Sequence, residues 1–357
     1  ADEDAASDPA LLPADFDFSG LDTHDLNADK EGRMKDDEKS VLALSRKEAE
    51  ELLRLKDGGT SEQVVSVNLG KDIVDPSCIH LDKKKMRVTL STTLESVDIK
   101  WKDLASMAKK GKHNAYQCFS SGRKPEKISV FSETTQRPLT LMPSEDFNPN
   151  QEGSSLSSNF RRERRILTPP RTPPTLVIGG FTMHRIKNAD PMSDTYNKIA
   201  TFSKTSLKGK ALDICTGLGY TAIEMAKKPY VESVLTLELD PSVLEICRCN
   251  PWSANLFENP KISTRIGNAA DIIQELESES FSLICHDPPA QALTFAGELY
   301  SLDFYSNLYR ILKKGGSLFH YVGNPASKES GTLFAGIMRR LQDAGFRNVR
   351  KSPKAFG

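Results

Sequence analysis

In the carboxyl-terminal half of the chain, polar side chains able to bind a ligand and move a proton each follow a short apolar run. Cys215-Thr216-Gly217-Leu218-Gly219 follows residues 210–214, with Asp213 inside that run; Glu238 follows 234–237. Asn268-Ala269 comes just after 262–266, and His286-Asp287-Pro288-Pro289 follows 281–285. Gly217 and Gly219 carry no Cβ, so the backbone can turn sharply there and come close to a ligand. An acid about 20 residues beyond such a turn suits ribose hydroxyls. The pattern D-x-x-x-G-x-G lacks the third glycine of the dinucleotide fingerprint, and Cys215 stands where a glycine is often found, so few amides face a pyrophosphate. The side chain of Asn268 can receive an adenine amino group, and Ala269 leaves room for a flat base. Asp287 can take a proton from an amine nucleophile; His286 is a second candidate base, although a structural histidine fits that position as well.

The elements that must position these groups alternate strand and helix from residue 208 onward. Runs at 210–214, 234–237, 262–266, 281–285 and 316–321 read as buried parallel strands. A sixth is expected to start at 346–350, after a helix over 332–344. Asn250-Pro251-Trp252-Ser253 interrupts the helix that begins at Pro241. Open α/β sheets bind ligands at the carboxyl ends of their strands, and four such ends agree here. Taken alone, the glycine pair also suits a ligand-free α/β domain. With the strand ends, S-adenosylmethionine fits: adenosine towards Glu238, the amino-acid tail towards the glycine turn.

Composition narrows the classes. Lys plus Arg equal Asp plus Glu at 48 each, so bulk charge points neither to nucleic acid nor to a membrane surface. No apolar run approaches the ~18 residues of a membrane span, and no signal peptide is visible. The six cysteines have no metal-ligand spacing and read as free thiols in a reducing compartment. An intracellular address follows, with an organelle left open because the chain begins at Ala1 rather than Met. Residues 1–39 read as a disordered acidic tail: nine acids and no Lys or Arg precede residue 30. Residues 40–144 read as a small α+β domain, opened by the capping box Ser45-Arg46-Lys47-Glu48. Residues 145–174 form a Pro/Ser/Arg-rich linker whose Arg161, Arg162, Arg164, Arg165 and Arg171 suit either phosphate contact or plain solvation. Residues 175–357 hold the Rossmann-like, doubly wound, mostly parallel sheet. His184 and Arg185, near its start, suit either substrate contact or a tie at the strand–loop junction.

Residues 208–350 resemble a class I S-adenosylmethionine-dependent methyltransferase. More narrowly, Met183-His184-Arg185, DxCTGLGYTAIE at 213–224, ExDPxVLE at 238–245, NPWS at 250–253, HDPP at 286–289 and LFHYVG at 318–323 resemble a predicted archaeal-type methyltransferase family. By that resemblance Asp213, Cys215, Thr216, Gly217, Gly219 and Tyr220 surround the methionine part. Glu238 takes the ribose, Leu239 lies beside the adenine, and Asn268 with Ala269 holds the base edge. Asp287-Pro288-Pro289 lines the transfer pocket, like the N/D-P-P-aromatic motif of amino-group methyltransferases; Ala290 leaves the aromatic place unfilled, and Tyr300, Phe304 or Tyr321 could substitute. His184, Arg185, Glu298 and Tyr300 are the substrate-side candidates. The acceptor stays open among RNA, protein and small molecules. Such sheets end in an antiparallel strand, so the chain is expected to be cut short of it.

Two other readings stand beside this one. Gly297-Glu298-Leu299-Tyr300-Ser301, Phe304-Tyr305 and 313–316 also resemble the segment after the catalytic acid in spermidine-synthase-like aminopropyltransferases, which use decarboxylated S-adenosylmethionine. The third is a non-enzymatic scaffold that binds the cofactor and recruits partners through its tail and linker.

Overall fold

A computed structural model describes residues 24–25, 40–56, 65–85, 87–91, 96–109, 113–144, 172–186, 189–203, 205–289, 297–323 and 330–357. Of the expected acidic tail only β1 (His24–Asp25) is described; it pairs antiparallel with Ile266 and Arg265. β2 (Ser40–Ser45) runs into α1 (Arg46–Lys56). The capping box forms in both directions: Ser45 N–H donates to Glu48 Oε2 at 2.6 Å, and Glu48 N–H to Ser45 Oγ at 3.4 Å. Then come β3 (Val65–Val67), β4 (Asp72–Val74), the meander β5 (Ile79–Asp82), β6 (Arg87–Ser91) and β7 (Ser96–Lys100), α2 (Trp101–Lys109), β8 (Ala115–Phe119) and β9 (Glu126–Lys127). Leu44, Leu52, Val88, Leu90 and Leu104 close one core among them.

The next four strands run across the expected seam at 144/175. β10 (Ser129–Ser132), β11 (Arg137–Met142), β12 (Thr175–Ile178) and β13 (Phe181–Thr182) form a single antiparallel sheet, with Leu139 opposite Ile178 and Leu141 opposite Leu176. Leu139, Leu141 and Leu176 are buried in the same cluster as Val243, Leu244 and Cys247 of the following α/β unit. Alternating apolar residues at 139, 141 and 176 need one covered face, and that unit supplies it. The arginine-bearing stretch 145–171 lies outside the described residues.

α3 (Pro191–Ile199) follows, capped by Asp190 and opened by proline at its first position. The α/β unit then runs β14 (Gly209–Ile214), α4 (Tyr220–Ala226), β15 (Val231–Glu238), α5 (Pro241–Cys249), α6 (Ala254–Glu258), β16 (Ile262–Ile266), α7 (Ala269–Glu275), β17 (Phe281–His286), α8 (Leu302–Ile311), β18 (Leu312–His320) and α9 (Ser330–Asp343). The sheet order is β1-β16-β15-β14-β17-β18, and β14 to β18 are parallel. This is the Rossmann-like α/β sheet expected from the strand–helix alternation. Chain order reverses about β14, the position at which open α/β sheets form a ligand crevice, here the carboxyl ends of β14, β15 and β17.

No sixth strand forms at 346–350. Phe346 turns onto the Tyr309 ring at 5.3 Å, and Asn348 takes a left-handed φ of 57°, which breaks an extended run. All six cysteines are free, and no helix among the described residues is long and apolar enough to cross a membrane.

Candidate active site

The glycine turn sits over the end of β14. Cys215 and Thr216 both donate their N–H to Leu237 O at 3.0 Å, which folds the turn across the neighbouring strand. Cys215 carries a positive φ of 71°, rare for a residue with a Cβ. The two glycines do different work. A Cβ on Gly219 would lie 2.9 Å from Leu256 Cδ1, so this glycine lets α4 close onto α6. A Cβ on Gly217 would meet nothing within 4 Å, because this position faces the open crevice.

Glu238, at the tip of β15, turns into the crevice. Its Oε2 accepts from Gly217 N–H at 3.0 Å, and its Oε1 from Leu239 N–H at 2.9 Å and Asp240 N–H at 3.2 Å. A carboxylate has about four acceptor sites, so about one is left for a ligand hydroxyl. Burial pushes this carboxyl up to about 7, against the pull of the Asp240, Gly217 and Leu239 amides. Leu239 is half-buried beside it. Asn268 caps α7: its Oδ1 accepts from Ala270 N–H at 2.9 Å, while its Nδ2 donates to Glu298 Oε2 at 3.4 Å. Ala269 and Asn268 are both half-buried at the third strand end.

Five of the candidate residues are held by other partners. Asp213 does not reach the crevice: it is fully buried, accepting from Thr221 Oγ1 and Thr236 Oγ1 at 2.8 Å each. Burial raises its pKa to about 7. Thr216 is buried against Thr236 at 2.7 Å and belongs to the same buttress. Tyr220 points the other way, its hydroxyl donating to Pro174 O at 3.0 Å and accepting from Asn250 Nδ2 at 3.0 Å. His184 is a junction tie: Nδ1 meets Thr175 Oγ1 at 2.9 Å, and burial pulls its pKa down to about 3. Tyr300 is buried in an aromatic cluster with His286 and His320, whose rings stack at 4.3 Å. His286 is fully buried there, packed between Phe304 and His320.

Asp287 stands at the tip of β17, tied to β14 through its N–H on Ile214 O at 3.1 Å. Pro288 is buried and Pro289 half-buried beyond it. The groups around Asp287 come from elsewhere in the chain. Lys198 of α3 donates to Asp287 Oδ2 at 2.6 Å and to Asp194 Oδ2 at 2.8 Å. Arg185 in turn donates to Asp194 Oδ1 at 2.9 Å and lies 3.6 Å over the Phe356 ring. Tyr321 places its ring 4.9 Å from Lys198 Nζ. Tyr321 is thus an aromatic beside the Lys198–Asp287 pair, whereas Phe304 is core. Asp194 and Lys198 had one local signal, an acid and a base four residues apart on a short helix; their reach to Asp287 had none. Among the described residues no group of three or more His, Cys, Asp or Glu could hold a metal ion.

A family model described as the spermine/spermidine synthase domain matches residues 167–351, more than half of the chain. The chain belongs to this family. The match spans β12 through α9, so the Arg185–Asp194–Lys198 ladder lies inside the spermine/spermidine synthase domain. An uncharacterized protein of Methanocaldococcus jannaschii is 46% identical over 189 residues, covering 53% of this chain and 64% of that one. The polyamine aminopropyltransferase of Mycobacterium tuberculosis is 28% identical over 134 residues, covering 36% of this chain and 25% of its own length. Putrescine N-methyltransferase 2 of Nicotiana tabacum is 27% identical over 142 residues, covering 40% of each. Spermidine synthase from Thermotoga maritima aligns with a TM-score of 0.42 at 19% identity, over 60% of this chain and 62% of that one. The chain spans less than two thirds of the length of each of these proteins.

Proposed function

We propose that this protein is a methyltransferase that binds S-adenosylmethionine in the crevice between Gly217 and Glu238 and alkylates a nitrogen held beside Asp287. The observation that carries the reading is the pairing at 3.0 Å of the Glu238 carboxylate with the Gly217 amide, beside a glycine whose missing Cβ faces open space. A nucleoside ribose fits the unused acceptor site of Glu238. Asn268 and Ala269 border the base at the next strand end. The sulfonium supplies an already electrophilic methyl group, so the chain's own work is alignment and exclusion of water. Asp287 orients the nucleophile and accepts its proton where a neutral amine must lose one. The acceptor class stays open among RNA, protein and small molecules.

The family match favours a second reading, aminopropyl transfer from decarboxylated S-adenosylmethionine, and the two relatives named for polyamine substrates fit either transfer. Calorimetric titration with both cofactor forms separates them. Tight binding of S-adenosylmethionine, with label passed to a fraction of cell extract, supports the first reading. Binding of the decarboxylated form alone moves the assignment to the second, and binding of neither overturns both. Deleting 160–171 and measuring RNA retention tests the linker arginines.

A further inference from the structure

The parallel sheet has a second cavity, of about 580 Å³, at the amino ends of its strands, opposite the crevice. Lys208 and Gly209 reach it at the start of β14, Tyr230 just before β15, Ser282 from β17, and Lys313, Lys314, Gly315 and Gly316 from β18. The backbone pushes the polar groups outward here. Phe281 pairs with Leu312 and Leu283 with Ser317, so the four residues from Lys313 to Gly316 face Ser282 alone and bulge out of the ladder. Ser206 Oγ and Ser317 Oγ, 2.8 Å apart, tie the base of this bulge to the loop before β14. Gly209 N–H donates to Tyr230 O at 2.8 Å, which pins that backbone while the side chain stands 74% exposed. Lys208, Lys313 and Lys314 are exposed around the cavity, and Lys261, donating to Val231 O at 2.7 Å, adds an ammonium one residue beyond Tyr230. Among the described residues Glu232 is the one acid lining the cavity, and Glu279 holds Lys314 only at 3.8 Å with both side chains exposed. Exposed lysines give a single small anion little. A polyanion that meets several at once gains from the counterions it releases, and an exposed aromatic ring beside them is a platform for an unpaired base. An acidic peptide or a membrane surface would use the lysines and leave the Tyr230 ring idle.

We propose that this cavity binds single-stranded nucleic acid, with phosphates on Lys208, Lys313 and Lys314 and a base stacked on Tyr230. It is a holding site at the far end of the strands, independent of the chemistry at Asp287, and stands whether that reaction is methyl or aminopropyl transfer. The test is fluorescence anisotropy of the full chain with a labelled uridine dodecamer over a salt series. Polyglutamate and inorganic polyphosphate serve as base-free competitors. The parent is expected to lose affinity with salt at a log–log slope of about −2 or steeper, as three phosphate contacts on a single strand require. Tyr230→Ala should weaken binding about tenfold at an unchanged slope. Lys313→Gln combined with Lys314→Gln should lessen the slope by about 1. These side chains are exposed, so each variant is expected to melt with the parent, which reports an intact fold. No binding by the parent overturns the proposal. So does polyphosphate or polyglutamate competing as well as the unlabelled dodecamer, or a Tyr230→Ala variant that binds as the parent does. A slope unchanged by the lysine pair places the strand elsewhere on the chain and overturns it as well. S-adenosylmethionine is titrated into the same samples; its failure to bind removes the methyl-transfer reading and leaves the anisotropy result to judge this site.

Discussion

On the proposed reading Glu238 accepts a ribose hydroxyl as a carboxylate, yet burial raises its pKa to about 7. Below that pH the carboxyl carries a proton and loses an acceptor site, so cofactor binding weakens as pH falls. Calorimetry at pH 6 should give a dissociation constant about tenfold weaker than at pH 8, since only about a tenth of the group is then ionised. A Glu238→Gln variant should bind weakly with no such slope; a parent that binds equally at both values would exclude Glu238 as the ribose acceptor. Cys215 carries a different cost. Its φ of 71° strains a side chain that glycine would not have. Cys215→Gly should therefore stabilise the chain by about 1 kcal/mol, seen as a higher denaturation midpoint at unchanged slope. A lower midpoint would mean that the thiol's packing outweighs the strain.

At the scale of elements, β17 and β18 press two histidines together under α8. Neither nitrogen of His286 finds a partner among the described residues, while His320 Nε2 meets Tyr305 OH at 2.9 Å. Burial depresses both, His320 to about 3. Folded-state pKa values below the unfolded value of about 6.5 mean that this stability is present above pH 6.5 and lost as pH falls below it. Each histidine contributes about 1.4 kcal/mol per pH unit to that loss. Asp213, raised to about 7, opposes it over the same range. A His286→Phe variant should lose less stability between pH 7 and pH 5 than the parent, by urea titration; an unchanged difference would place a charged histidine in the folded state. Strands and caps of this unit were legible in the sequence because period, glycine placement and the Ser45–Glu48 box act within a few residues. Orientation across the fold was not. Nothing beside Tyr220 told that its hydroxyl would serve Pro174, and nothing beside Lys198 told that it would cross 89 positions to Asp287. The sixth strand failed for the converse reason: a locally plausible run yielded to the left-handed turn at Asn348 and the Phe346–Tyr309 contact.

Across the whole molecule, the sheet β10-β11-β12-β13 decides what folds as a unit. A chain starting at residue 175 strips β12 of its partner and uncovers Leu176, Val243 and Leu244, each worth about 1.5–3 kcal/mol when fully buried. Such a fragment should aggregate or melt without cooperativity by circular dichroism. A chain starting near residue 126 keeps the sheet and should unfold in one transition. Equal behaviour of the two would favour the boundary at residue 175 read from composition.

The bond from Ser132 Oγ to Asp240 has a reach beyond its 2.6 Å. Asp240 also caps α5 by accepting from Ser242 N–H at 2.9 Å, two positions beyond Glu238. The hairpin of β10 and β11 therefore braces the loop that would grip the adenosyl group. Linkage runs both ways: saturating the crevice should slow amide exchange across residues 129–142, and Ser132→Ala should erase that protection. An antiparallel ribbon well away from the reacting nitrogen would then report, like a strain gauge, whether the nucleoside is in place.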